Sequence, residues 1–273
     1  MTSIIRVFPR RTSMTPTDAM AFVGDPPFWR PAAVEVHVSV AFTWDIPEAE
    51  RLADAWGQYY PTVKIGGPAL NSAAWDFQPR VYLKQGVTIT SRGCNRKCPW
   101  CFVPGREGRI KLLPIEPGNI IQDNNILQTG HDHMSAVFEM LRQQPRAAVF
   151  AGGLDARLID DWVAEQLSRL RIREVFLAAD FDGMLPWLEK AVAKLDFLKR
   201  RQLRCYVLTG FEGTLQDNQR RLERVWEMGY MPFAQLYQPA DGYVEYDLPW
   251  RWLARKWSRP AAMVAAHSME PEA

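Results

Sequence analysis

The chain has 273 residues, 47% of them hydrophobic and 23% charged, with a formal net charge of +2. Such a composition supports one large domain, or one with a small appendage, and no apolar run approaches the length of a membrane helix. The small net charge gives no bulk attraction to polyanions, and 4 cysteines are too few for a disulfide scaffold.

The opening MTSIIRVFPRRTS carries Arg6, Arg10 and Arg11 but no secretory signal, so a cytoplasmic location is expected. A Pro-rich, irregular stretch (Pro26, Pro27, Pro31) leads to VEVHVSVAF, which predicts a strand. A helix follows from Pro47, with Leu52, Ala53 and Trp56 on one face, and TVKIGGPAL predicts a second strand. These elements form a β-α-β extension over 1–80. From residue 86 the pattern becomes regular. Strands are expected at 86–91, 118–122, 147–152, 174–179, 203–210 and 231–238, with helices between them. One helix places Leu158, Ile159, Trp162, Val163 and Leu167 at helical spacing, and another opens with Thr214 and Asp217 as a capping box. Six apolar strands alternating with helices imply a parallel α/β sheet over 81–245. A helical tail at 246–273 turns Trp250, Leu253, Ala254 and Trp257 inward, and base stacking is a secondary role for its tryptophans.

Chemistry in such sheets collects in the loops after the strands. The loop after the first strand reads Gly93-Cys94-Asn95-Arg96-Lys97-Cys98-Pro99-Trp100-Cys101. Three thiolates on one short loop can hold three irons of a [4Fe–4S] cubane and leave the fourth iron open. Arg92, Arg96 and Lys97 flank the sulfurs, where they would lower the thiol pKa values. The alternative is a structural zinc site, with His131, His133 or Cys205 as fourth ligand, but no second cysteine knuckle is present. Cys205 lies in an apolar run and is expected to be a buried thiol.

A CxxxCxxC loop with an aromatic residue before its third cysteine, after the first strand of a six-fold β/α repeat, resembles the radical S-adenosylmethionine superfamily. The resemblance covers about residues 86 to 240. The run from Thr90 to Cys94, with Lys97 to Phe102, is similar to the methylthiotransferase and cobalamin-associated branches. FTWDI, IGGPA, QDNN, GGLDARL and PFAQLYQP also resemble stretches of small radical proteins in phage and prophage genomes. The resemblance implies a partial (β/α)6 TIM-type barrel and a cluster on Cys94, Cys98 and Cys101. It also implies S-adenosylmethionine, cleaved to a 5′-deoxyadenosyl radical, and an electron donor such as a flavodoxin or ferredoxin. Nucleic acid or a nucleotide is one substrate class it suggests.

By the same resemblance, Trp100 and the strand ends bind the cofactor. Asp123, Asn124 and Asn125 end the second strand, where the family's Gly-Gly-Glu motif contacts the amino group. That motif is missing here, and an Asx-capped turn is the competing reading. Gly152, Gly153 and Asp155 end the third strand, Asp180 the fourth and Thr209 the fifth. Asp180 would meet the ribose or cap a helix. Cysteines for a second cluster and an Asp-x-His-x-x-Gly cobalamin motif are absent, which disfavours sulfur insertion and cobalamin binding. The other function class is a non-catalytic binding protein with a structural zinc or iron–sulfur site.

Overall fold

The structure, a computed structural model, describes residues 3–70, 79–240 and 242–268. The end of the N-terminal extension at 71–78 and the end of the tail at 269–273 lie outside the described residues. The chain divides into two compact units, Met1–Val87 with Ala240–Tyr243, and Thr88–Pro239 with Val244–Ala273.

The first unit contains β1 (Ile4–Phe8), β2 (Ala21–Val23), β3 (Glu35–Ser39), α1 (Ile46–Gly57), β4 (Val63–Gly66) and α2 (Pro79–Tyr82). Its strands form a parallel sheet in the order β2-β1-β3-β4. Pro47 starts α1, and the four-residue step from Leu52 to Trp56 turns both into a core shared with Ile5, Val7, Val36 and Val38. The Trp56 indole N–H donates to the Gly24 carbonyl at 3.1 Å, which satisfies its one polar atom inside that core. The β3-α1-β4 core of this sheet follows the expected β-α-β pattern. Its other half does not, because β1 and β2 arise from the opening residues, where no strand is expected. Only Ile5 and Val7 of the short β1 bury fully among flanking prolines and arginines, so the alternation is too brief to stand out.

The second unit begins inside β5 (Val87–Thr88), followed by β6 (Ser91–Arg92), α3 (Val103–Arg106), β7 (Lys111–Leu112), β8 (Ile120–Ile121) and α4 (His131–Arg142). It continues with β9 (Ala148–Phe150), α5 (Asp161–Ser168), β10 (Ile172–Ala178), α6 (Leu185–Lys194), β11 (Leu203–Thr209), α7 (Leu215–Glu227), β12 (Met231–Leu236), α8 (Leu248–Lys256) and α9 (Pro260–Ser268). A six-stranded sheet runs in the order β12-β11-β10-β9-β8-β5, and its pairings from β8 to β12 are all parallel. Each helix from α4 to α7 carries the chain to the next strand in line. Their apolar stripes, including Phe138, Leu167, Leu188 and Leu222, pack with Phe150, Leu177 and Val207 into one core. This is an α/β fold. Among the described residues no helix is long and apolar enough to cross a membrane.

Several elements differ in extent from the sequence pattern, and β8 and β9 are shorter than the strands expected at 118–122 and 147–152. The expected strand at 86–91 stops at Thr88 and resumes as β6, which pairs antiparallel with β7. The helix expected to include Leu158 and Ile159 starts only at Asp161. A short 3-10 turn takes Ala156–Leu158, and Asp160 caps the helix through the Val163 N–H at 2.8 Å. In the tail, Leu253 and Trp257 are buried as expected, while Trp252 is 73% exposed.

Replacing Trp56 with Ala removes a fully buried indole and is expected to cost about 3–5 kcal/mol of unfolding free energy in denaturant titrations. Trp252→Ala should stay within about 0.5 kcal/mol of wild type in the same measurement, because its side chain faces solvent.

Candidate functional site at the cysteine loop

Gly93 opens the loop with φ of 83°, a left-handed conformation, and a Cβ there would collide with the Arg109 carbonyl. Its N–H lies 3.1 Å from both Asn124 Oδ1 and Glu107 Oε2, and the Cys94 N–H donates to the Gly108 carbonyl at 3.0 Å. Cys94 and Cys98 are half-buried and Cys101 is exposed; all three are free thiols. Between the last two, the Cys101 N–H closes a turn on the Cys98 carbonyl at 3.1 Å.

The loop is tied to one strand end after another. Asn95 N–H donates to Gln128 Oε1 at 2.7 Å, just beyond β8. Arg96 Nε donates to Asp155 Oδ2 at 3.0 Å, beyond β9. Trp100 Nε1 donates to Asp180 Oδ2 at 3.0 Å, beyond β10. The Trp100 ring also packs against Phe181 and Phe211, with centroids 5.5 and 5.6 Å away, reaching the end of β11. The three cysteines therefore sit over the carboxyl ends of the parallel strands, where such sheets place their sites.

Asp123 is 1% exposed, and its carboxylate accepts three hydrogen bonds. The Thr90 N–H donates at 2.7 Å, the Thr90 hydroxyl at 2.7 Å and the Ser91 hydroxyl at 2.6 Å. Burial raises its pKa, and these donors oppose the rise. His133 Nε2 lies 3.2 Å from Thr90 Oγ1, so the first turn of α4 joins this network. Asn125 sits between the cysteine loop and β9, with its Nδ2 at 3.9 Å from Cys94 Sγ and 3.4 Å from Asp155 Oδ2. Asn125 Oδ1 is buried and finds no donor among the described residues.

Gly152 packs so tightly on the Asp123 carbonyl that a Cβ there would overlap it, and Gly153 adopts φ of 94°. Asp155 receives Arg157 at 2.7 and 3.0 Å besides Arg96. Burial pushes its pKa up, but the two guanidinium groups outweigh that and hold it below the ordinary carboxylate value. Burial raises Asp180, with the Trp100 indole and Arg221 opposing. Thr209 is fully buried and donates to the Gln235 carbonyl at 3.1 Å, so its hydroxyl joins β11 to β12.

The flanking cations do not act on the thiols as expected. Arg96 is drawn to Asp155, and Arg92 lies 3.5 Å from Glu107. Desolvation by surrounding protein raises the Cys98 thiol, with Arg157 opposing; the same desolvation raises Cys101, although that residue keeps an exposed face. Arg157, read with Asp155 as pointing into the mouth, pairs with that carboxylate, and Arg221 is the charged residue the sequence pattern missed. Arg221 is 5% exposed and donates to the carbonyls of Asp180 and Leu208 at 3.2 and 3.1 Å. Its signal was a charge on the apolar stripe of α7, beside Leu222 and Val225.

His131 stacks on Trp162 at 4.0 Å and Cys205 is fully buried in the core. Among the described residues no three His, Cys, Asp or Glu side chains are grouped to hold a single metal ion. No protein-family model matches the chain, and no curated protein matches it either.

Asp155→Asn should lower unfolding free energy by about 1–3 kcal/mol at neutral pH, because two arginines lose a buried charged partner. Asp155 has a depressed pKa, so its contribution is present above the unfolded value near 3.8 and is lost as pH falls through the folded value. The stability gap between wild type and variant should close below pH 3.8 in acid titrations of unfolding.

Proposed function

We propose that the chain is a radical S-adenosylmethionine enzyme. The observation that carries this reading is three free thiols on one loop, held over the carboxyl ends of a sequentially ordered parallel sheet. Cys94, Cys98 and Cys101 would hold a [4Fe–4S] cluster, and the sheet would curve as a partial (β/α)6 barrel around it. The donor set fits. A cubane takes one thiolate on each of three irons, which is the number this loop supplies, and a tetrahedral zinc site would need a fourth ligand.

A second feature fits the cofactor. The orphaned Asn125 Oδ1 is a buried acceptor beside Cys94, and an ammonium group supplies the donor it lacks. The bound cluster would supply an open iron to chelate S-adenosylmethionine and an electron to cleave its sulfonium, giving a 5′-deoxyadenosyl radical. The protein's own residues bind, orient and shield. Asp123 fixes the strand ends from which the loop departs. Arg96 and Arg157 on Asp155 stiffen its middle and balance negative charge near the sulfurs. Trp100, Phe181 and Phe211 line its far side with aromatic carbon, which excludes water and limits stray hydrogen donors. A reduced flavodoxin or ferredoxin would supply the electron.

Anaerobically purified and reconstituted protein should contain iron and sulfide and form 5′-deoxyadenosine from S-adenosylmethionine under reducing conditions. Cys98→Ala should abolish that product, and Cys205→Ala should leave most of it. Abundant zinc without iron, or no 5′-deoxyadenosine from the reconstituted protein, overturns the reading in favour of a structural site.

A further inference from the structure

We propose that the outward face of α8 is a docking surface for single-stranded nucleic acid, which would make an unpaired strand the substrate of the radical reaction. Helix α8 is amphipathic in an unusual sense. Its inner stripe, Leu253 with Trp257 just beyond the helix, is buried in the core. Its outer stripe is Leu248, Arg251, Trp252 and Arg255, at steps of three, one and three, all exposed. Trp252 keeps 73% of its surface in solvent and Leu248 keeps 62%. Among the described residues neither Arg251 nor Arg255 has a carboxylate partner within ion-pair distance, unlike Arg220 and Arg224 on the neighbouring α7.

An indole left bare beside two guanidinium groups without a carboxylate partner matches one repeat of a nucleic-acid strand. A base has a π-face to stack on the indole, and the phosphates on either side meet the arginines. Four residues of helix place Arg251 and Arg255 roughly 6 Å apart along the axis, about one turn, with Trp252 on the adjoining face. An apolar protein surface would leave both guanidinium groups unmatched. One indole and one leucine also offer too little apolar area to insert into a membrane.

The setting agrees with the occupant. An open concavity of about 580 Å³ adjoins this face, with Tyr246, Leu248, Pro249 and Arg251 in its lining. Glu245 and Asp247 also line it. Asp247 is engaged as the cap of α8, accepting from the Trp250 N–H at 3.3 Å. These carboxylates repel phosphate and accept from base N–H groups, so they favour bases in the concavity and phosphates along the arginines. Tyr246 anchors the concavity to the site end of the sheet. Its hydroxyl donates to the Tyr237 carbonyl at 2.8 Å, beyond β12, and lies 3.4 Å from the Gly210 carbonyl, beyond β11.

The substrate assignment rests on the radical reading, while docking itself is read without turnover, so the two fail separately. Fluorescence anisotropy with a dye-labelled oligouridylate should show binding that weakens as salt rises. Trp252→Ala should weaken it about tenfold and Trp252→Phe should restore most of the loss. Arg255→Gln should reduce the log–log salt slope by about 0.7. Circular dichroism should match wild type for all three variants. Absence of binding at low salt, an unchanged affinity in Trp252→Ala, or equal affinity for a duplex overturns the proposal. So does capture by phosphatidylserine vesicles without capture of the oligonucleotide.

Discussion

A carboxylate buried to 1% must find donors, and where Asp123 finds them shapes the site. It takes the backbone N–H of Thr90, so the chain cannot carry the β5 ladder past Thr88. It takes the hydroxyls of Thr90 and Ser91 as well, which locks two consecutive residues against the end of β8. The chain then turns away into β6, which pairs with β7, and the cysteines lie in the connection between those two strands. Gly152 seals the arrangement from the other side, since only a residue without Cβ lets β9 end against the Asp123 carbonyl. The position of every thiol depends on this anchor.

Charge is arranged in the same economical way. Six basic side chains at or near the loop and strand ends, Arg92, Arg96, Lys97, Arg106, Arg157 and Arg221, suggest a strongly positive mouth. Several are spent on specific partners instead. Arg96 and Arg157 converge on Asp155, and Arg221 bridges the carbonyls that end β10 and β11. Buried Asp180 draws the Trp100 indole N–H, which carries the aromatic ring into the pocket of Phe181 and Phe211. Polar satisfaction thereby positions an apolar wall.

Apolar periodicity made most of the second unit legible, because helices and strands that bury one face repeat at 3.6 and 2 residues. The runs at β9 to β12 and the presence of helices between them were readable for that reason, as was the capping box of Thr214 and Asp217. What escaped was short or polar. β1 has two fully buried apolar residues, and the splitting of β5 from β6 comes from a side chain about thirty residues away in sequence. Asn125 Oδ1 could be named as a candidate acceptor, but its lack of a donor emerges only when its neighbours are known. In α8 the apolar spacing turned Trp250 and Trp257 inward and left Trp252 off that stripe, and the three tryptophans divide that way between core and solvent.

By itself the sequence determined an alternating α/β pattern with a parallel sheet and three closely spaced thiols after its first strand. Both follow from local chemistry: backbone periodicity set by apolar side chains, and thiols set by spacing within one loop. Tertiary structure decided which groups hold the loop that carries those thiols. Asp123, Asp155, Asp180 and Trp100 lie on four separate segments, and only the closing of consecutive parallel strands brings their ends together. The energies that hold them there, burial of charge and pairing of its donors, depend on distances that no stretch of sequence contains.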